Sequence, residues 1–363
     1  MITTKIRERE PAGRIADAVL GDGPAAATPQ TTMKAIVQGG YGSAEVLELR
    51  EIAKPEIGAS EVLIRVRAAG VNPADWAIMG GLPYIARPIY GMGKPKNPVR
   101  GTDVAGEVEA VGASVTRFRP GDEVFGWCGH LGGAFAEYAS VSEDALTLKP
   151  AKLTFEQAAA VPMAGTVALQ ALRDHGKVQA GQKVLVNGAS GGIGTFAVQI
   201  AKLLGADVTG VCSTNNVELV RSIGADHVID YSKEDFTRTG QRYDFILDNV
   251  ANRSLSDLRR ALTPKGTLVP NGGGFDHRWI ASGGRLLRAK VSFAFVSQSL
   301  RTFIVSPNQE NLVVLRQFIE AGKVTPVIDR TYPLGETPQA ISYVGEGHAR
   351  GKVVVTVNKG VTS

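Results

Sequence analysis

The chain of 363 residues carries 40 basic and 35 acidic side chains in mixed order, a formal net charge of +5, with 44% hydrophobic and 21% charged residues. Such a composition buries sizeable cores under a solvated surface of mixed sign. It argues against a nucleic-acid or membrane partner, and no apolar run reaches the roughly 18 residues needed to span a bilayer. The only cysteines, Cys128 and Cys212, make neither a metal-spaced cluster nor a disulfide framework, which fits a reducing cytoplasm.

Residues 1–32 are polar, rich in Ala, Pro, Gly and Thr, and charged in both signs. Without an apolar signal core, and with acids a transit peptide avoids, they read as a disordered extension. Met33 opens a regular pattern. Short β runs at Lys34 to Gln38, Val46 to Leu49, Glu61 to Ala68, Ala105 to Val111, Glu123 to Phe125 and Ala136 to Val141 are separated by Gly, Pro and Asn/Asp punctuation. They predict a barrel over 33–155. From Phe155 helical stretches alternate with apolar strands near 184–186, 208–211, 227–229, 245–247 and 267–269, the arithmetic of a parallel doubly wound sheet over 156–327. A helix is expected from Gln309 to Ala321. Beyond Pro326 the texture returns to strand, then a short helix near 338–344 and a strand from Lys352 to Val357, so that 328–363 folds back onto the barrel.

The most informative stretch runs from Lys183 to Leu204. An apolar strand meets Gly188, Gly191, Gly192 and Gly194, then a segment with Ile193, Ala197, Ile200, Ala201 and Leu204 at helical spacing. Strand, tight turn and helix in this order let the backbone approach a pyrophosphate, which the helix N–H groups and dipole then face. The first glycine slot of the three-glycine fingerprint is Ala189, so the surrounding strand and helix carry the assignment. The alternative is a glycine-rich turn and nothing more.

The chain resembles the medium-chain dehydrogenase/reductase superfamily, and within it the zinc-independent quinone oxidoreductases related to ζ-crystallin. The motifs that carry the resemblance are Ala-Ala-Gly-Val-Asn-Pro-Ala-Asp (68–75), Gly-Thr-Asp-Val-Ala-Gly-Glu-Val (101–108), Pro-Gly-Asp-Glu-Val-Phe-Gly (120–126), Gly-Ala-Ser-Gly-Gly-Ile-Gly (188–194) and Gly-Lys-Val-Val-Val (351–355). The resemblance implies an α/β fold: a GroES-like β-barrel domain plus a Rossmann doubly wound parallel-sheet domain, in a homodimer. Zinc alcohol dehydrogenases similar to this chain place Cys and His where Asn72 and Thr102 stand, and add a cysteine-rich lobe that is missing from the sequence. Asn and Thr are poor zinc ligands, so no metal is expected. Cys128, isolated, reads as a small buried hydrophobe.

Without zinc, direct hydride transfer from a reduced nicotinamide to an electron-poor quinone or α,β-unsaturated carbonyl remains. Such an acceptor needs only a hydrogen-bond donor on its oxygen. Asn72 is the catalytic candidate for that donor, or else it caps the Val-Asn-Pro turn; Asp75 reads as structural. Tyr84 and Trp127 are candidates to line the substrate pocket, or simple packing. Ser190, Gly191, Gly192 and Ile193 would hold the pyrophosphate. The end of the second Rossmann strand lacks an acid to grip a ribose 2′-hydroxyl, which admits NADPH through the Ser213 and Thr214 hydroxyls with Tyr231 closing over the 2′-phosphate. Asn215 and Asn216 replace the basic residue that many relatives offer there, so NADH stays open.

By resemblance, Thr166 lies near the nicotinamide half and Lys352 near the phosphates. Asn249, Gly272 and Gly273 line the crevice and Phe295 to Ser297 run past the nicotinamide, or all are ordinary loop geometry. Two further readings remain. One is an enoyl-thioester reductase, for which Arg285, Arg288 and Lys290 would form a basic rim or merely a solvated helix face. The other is a non-catalytic, nucleotide-bound, crystallin-like protein.

Overall fold

The computed structural model describes residues 31–271, 293, 296–305 and 308–357. Gly272, Gly273, Phe295, Arg285, Arg288, Lys290 and almost all of the expected N-terminal extension lie outside the described residues. The first half builds seven strands: β1 (Thr32–Gln38), β2 (Leu47–Ala53), β3 (Glu61–Val71), β4 (Asp103–Val111), β5 (Glu123–Trp127), β6 (Tyr138–Ser142) and β7 (Leu146–Leu148). β1 and β2 form their own antiparallel pair, while β3 pairs antiparallel with both β4 and β6. A strand flanked on both edges has little use for strict alternation, and β3 accordingly reads Val-Leu-Ile-Arg-Val with most of its length buried.

Six strands follow: β8 (Lys183–Asn187), β9 (Asp207–Cys212), β10 (His227–Asp230), β11 (Tyr243–Asp248), β12 (Leu262–Pro270) and β13 (Ser299–Leu300). They pair parallel in the order β10-β9-β8-β11-β12-β13. This is the doubly wound dinucleotide order, in which the chain reverses direction between β8 and β11 and opens a crevice at their carboxyl ends. β14 (Ile328–Pro333) and β15 (Lys352–Thr356) then return to the barrel, where β15 pairs antiparallel with β3, Val353 opposite Val71. β7 and β13 were not foreseen because two or three residues show no period.

The two sheets share a core. The helix Phe155–Ala159 starts at Thr154, whose hydroxyl accepts the Gln157 N–H while the Gln157 side chain accepts the Thr154 N–H. It and the helix Pro162–Leu169 present Ala158, Ala159, Ala160, Ala164 and Ala168, small residues packed in one cluster with Ala68, Ala105 and Val354 of the barrel and Phe196, Val184 and Phe245 of the parallel sheet. The helix Gln309–Glu320 adds Leu312 and Leu315 to that cluster. Among the described residues no helix is long and apolar enough to cross a membrane.

Candidate active site

The glycine turn is built where β8 ends. Gly188 has φ +80°, a left-handed conformation that side chains resist, and it swings the chain into the helix Gly192–Leu203. A Cβ on Gly194 would stand 2.0 Å from the Gly188 carbonyl oxygen, so this glycine lets helix and strand touch. Gly191 differs: a Cβ there would meet only the Gly188 oxygen, at 3.5 Å. The space beside Gly191 is therefore open on the side where a side chain would stand, and the first N–H groups of the helix have no intrahelical partner. Ser190 and Gly192 belong to the same turn, whereas Ile193 packs its side chain toward the core.

The adjoining corner is polar. Asn216, at the start of the helix Val217–Ser222, donates through Nδ2 to Ser190 Oγ and Ser213 Oγ, both at 3.1 Å. Thr214 Oγ1 donates 2.7 Å to Asp230 Oδ2, the acid that ends β10 beside the end of β9. The Ser232 and Thr214 hydroxyls hold the Asp230 carboxyl down at about 2, so it is ionised at neutral pH. Lys233 lies 3.4 Å from it. Tyr231 is half exposed, its N–H anchored on the Cys212 carbonyl. The Thr214 hydroxyl is thus committed to an anion, where the sequence suggested a free phosphate donor; the acid, Asp230, ends the neighbouring strand β10 and not β9, where the fingerprint places one.

At the crevice, Asn187 Nδ2 donates 2.8 Å to Asp248 Oδ1, tying the ends of β8 and β11. Asn249 Oδ1 accepts from Asn271 Nδ2 at 2.9 Å, while Asn249 Nδ2 is buried with no partner among the described residues. Thr166 Oγ1, in the helix Pro162–Leu169, is likewise buried and unpartnered. Buried polar atoms are normally bonded. An open glycine cradle with unpartnered polar atoms at Thr166 and Asn249 fits a dinucleotide.

On the barrel side a charged cluster is buried. Asn72, Thr102, Asp103 and Lys352 each expose 3% or less. Asn72 Nδ2 donates to Thr102 Oγ1 at 3.2 Å and to Asp103 Oδ2 at 3.1 Å, and Asn72 Oδ1 accepts from Lys352 Nζ at 2.5 Å. Lys352 also donates to the Val71 carbonyl at 3.1 Å and lies 3.6 Å from Asp103 Oδ2. The reversed amide would set oxygen against carboxylate and NH2 against ammonium, so charge fixes its orientation. Both amide hydrogens of Asn72 are therefore taken, and the residue positions its neighbours; it is no free donor to an acceptor. Its backbone forms the turn, the Asn72 N–H donating to Asp75 Oδ2 at 2.8 Å and the Asp75 N–H to the Asn72 carbonyl at 2.9 Å.

Burial pushes Asp75 up to about 7; it also raises Asp103 to about 6, with Lys352 opposing. The same burial holds Lys352 and Arg100 below their ordinary values. Lys352 departs from the phosphate role the resemblance implied. Its Cδ lies 3.0 Å from where a Cβ on Gly192 would stand, but its ammonium turns toward Asn72, drawn by Asp103. Cys128 is half-buried, and burial followed by the Asp103 and Asp75 charges pushes its thiol up.

Trp127, in register opposite Asp103, is buried, meets His130 edge-on at 4.7 Å, and keeps an Nε1–H with no partner among the described residues. Tyr84 lies on the short turn Tyr84–Ala86 under the Arg87 guanidinium, 4.3 Å from its ring centre.

Two family models match the chain: the alcohol dehydrogenase GroES-like domain over residues 58–151 and the zinc-binding dehydrogenase over 223–355. The chloroplast envelope quinone oxidoreductase homolog of Arabidopsis thaliana is 34% identical over 334 residues, covering 89% of this chain and 98% of its own. The NADPH-dependent alkenal/one oxidoreductase of the same plant is 35% identical, covering 89% and 79%. The solved quinone oxidoreductase of Coxiella burnetii superposes with a TM-score of 0.80 at 31% identity, covering 90% and 100%. The fold, the glycine turn and these relatives agree: the chain belongs to the medium-chain dehydrogenase/reductase superfamily, in its zinc-independent quinone oxidoreductase branch. The zinc in one model's description has no counterpart in the residues here, because Asn72 and Thr102 offer an amide and a hydroxyl and the Lys352 ammonium repels a cation.

Proposed function

We propose that the chain is an NADPH-dependent, zinc-independent oxidoreductase that transfers hydride to quinones or α,β-unsaturated carbonyls. The observation that carries this reading is the Lys352 ammonium, buried and bonded to Asn72, one of the two residues that stand in place of zinc ligands. When bound, the reduced nicotinamide supplies the hydride. Gly191 and the first N–H groups of the helix Gly192–Leu203 hold the pyrophosphate, while Thr166 and Asn249 offer unpartnered atoms to orient the far half. An acceptor that spreads its developing negative charge needs donors and a positive field. The Trp127 Nε1–H is one such buried donor, and the Lys352 ammonium provides the field.

The strand end after β9 carries no acid, which admits a 2′-phosphate, and Asp230 beside Thr214 opposes it. NADPH is the preferred donor and NADH is accepted. The activities named for the relatives, quinone and alkenal/one oxidoreduction, support the acceptor class. The test is NADPH and NADH oxidation, followed at the nicotinamide absorbance, against quinones, small enones and enoyl thioesters. Turnover with quinones or enones is expected. Tight dinucleotide binding without turnover of any acceptor would point to the non-catalytic role.

A further inference from the structure

Between Asp75 and Asp103 the chain holds no acidic residue and the four basic ones Arg87, Lys94, Lys96 and Arg100. This stretch leaves the barrel after the helix Pro73–Met79, makes the short turns Tyr84–Ala86 and Arg87–Tyr90, and rejoins it at β4. On it Ile85, Ile89 and Met92 are 68%, 60% and 70% exposed. Ile85 and Ile89 stand four residues apart on consecutive helical turns, a spacing that places them on one side, and Met92 follows directly after.

These apolar tips are held out by a fastened excursion. Arg87 Nε donates to the Gly81 carbonyl at 3.1 Å and its guanidinium lies over the Tyr41 and Tyr84 rings. Tyr41 OH donates to the Gly91 carbonyl at 2.7 Å, and the Lys96 N–H to the Tyr90 carbonyl at 2.7 Å. Lys96 Nζ reaches the Pro88 carbonyl at 3.0 Å, which sets a cation next to Ile89. Lys94 and Lys96 are exposed, and Tyr84 and Tyr90 are half-buried. Exposed apolar side chains followed directly by lysines, with tyrosines at their base, are the composition that enters a bilayer interface.

We propose that this excursion docks on an anionic lipid surface, with Ile85, Ile89 and Met92 entering the headgroup boundary while Lys94 and Lys96 meet lipid phosphates. A second copy of the chain fits worse. A two-fold contact through this face would bring each set of lysines toward its own image, with no acid on the stretch to answer them. The proposal stands apart from the reaction proposed above, and it differs from the sequence reading, in which the chain-wide mixture of charge hid a local basic run.

The full chain is sedimented with vesicles of phosphatidylcholine alone and of phosphatidylcholine with about one third phosphatidylglycerol. Partitioning is expected to be about tenfold stronger on the anionic vesicles and to weaken with salt. The triple variant Ile85→Ser/Ile89→Ser/Met92→Ser should lose about tenfold in partitioning, and Lys94→Glu/Lys96→Glu at least as much, with unchanged circular dichroism. Turnover of a water-soluble quinone by the triple variant should match the parent, which separates this inference from the reductase reading. Absence of partitioning onto anionic vesicles, equal partitioning by the variants, or a solution dimer that the triple variant converts to monomer would each overturn it.

Discussion

The Lys352 ammonium lies 2.5 Å from the Asn72 amide oxygen, and the stem that carries it runs past Gly192 at the glycine turn. The preceding residue strengthens this link, since the Gly351 N–H donates to the Ser190 carbonyl at 2.8 Å. One short strand therefore joins the dinucleotide turn to the buried charges of the barrel. Lys352→Met leaves Asp103 buried without its cation, at a cost of about 3–5 kcal/mol in urea unfolding. Adding Asp103→Asn to it should restore most of that loss. A neutral Lys352→Met would show that the ion pair carries nothing.

Gly191 and Gly194 should part company. The open space at Gly191 lets Gly191→Asp fold with a melting temperature near that of the parent, yet a carboxylate facing the pyrophosphate should weaken dinucleotide binding about a hundredfold in a fluorescence titration. Gly194→Ala drives a Cβ into the Gly188 carbonyl and should destabilise by about 1–3 kcal/mol. Equal behaviour of the two variants would contradict the roles assigned to them.

On the proposed cofactor reading, Asp230 tips the balance between the two dinucleotides: its ionised carboxyl takes the Thr214 hydroxyl and would repel a 2′-phosphate beside it. Asp230→Asn should raise the NADPH over NADH ratio of kcat/KM by about tenfold, roughly the worth of one removed like charge. An unchanged ratio would place the 2′-phosphate away from Asp230.

Asp75 predicts a pH slope. Its folded value is raised from 3.8 to about 7, so between those limits the folded state keeps a proton that the unfolded state has lost. The contribution of Asp75 to stability is thus fully present below about pH 4, declines as pH rises to about 7, and is level above. Asp75→Asn keeps an oxygen for the Asn72 N–H and should flatten that decline, as read from melting temperatures between about pH 5 and pH 8. Parallel slopes for parent and variant would contradict the assignment.

How far the sequence could be read follows from distance along the chain. The glycine turn and five of the six parallel strands rest on local periods, and they were legible. The helix at Gln309–Glu320 was legible for the same reason: Leu312, Leu315 and Ile319 share one face. The pairing of Asn72 with Lys352 spans 280 residues and exists only because β15 lies beside β3. Asp103 lies in the Gly-Thr-Asp-Val motif beside Thr102, but its partner Lys352 stands on β15, far along the chain. Asp230 closes a corner begun by Thr214 because β10 lies in register beside β9, and tertiary register of that kind leaves no local mark.

Hydride transfer without a metal rests on the buried Lys352 cation bonded to Asn72, where zinc relatives carry a cysteine. Metal content and quinone or enone turnover, measured on the same chelator-treated preparation with NADPH, test it most directly. Turnover should equal that of untreated enzyme, with far less than one metal ion per chain. Stoichiometric zinc, with turnover lost on chelation and regained on adding zinc, would contradict it.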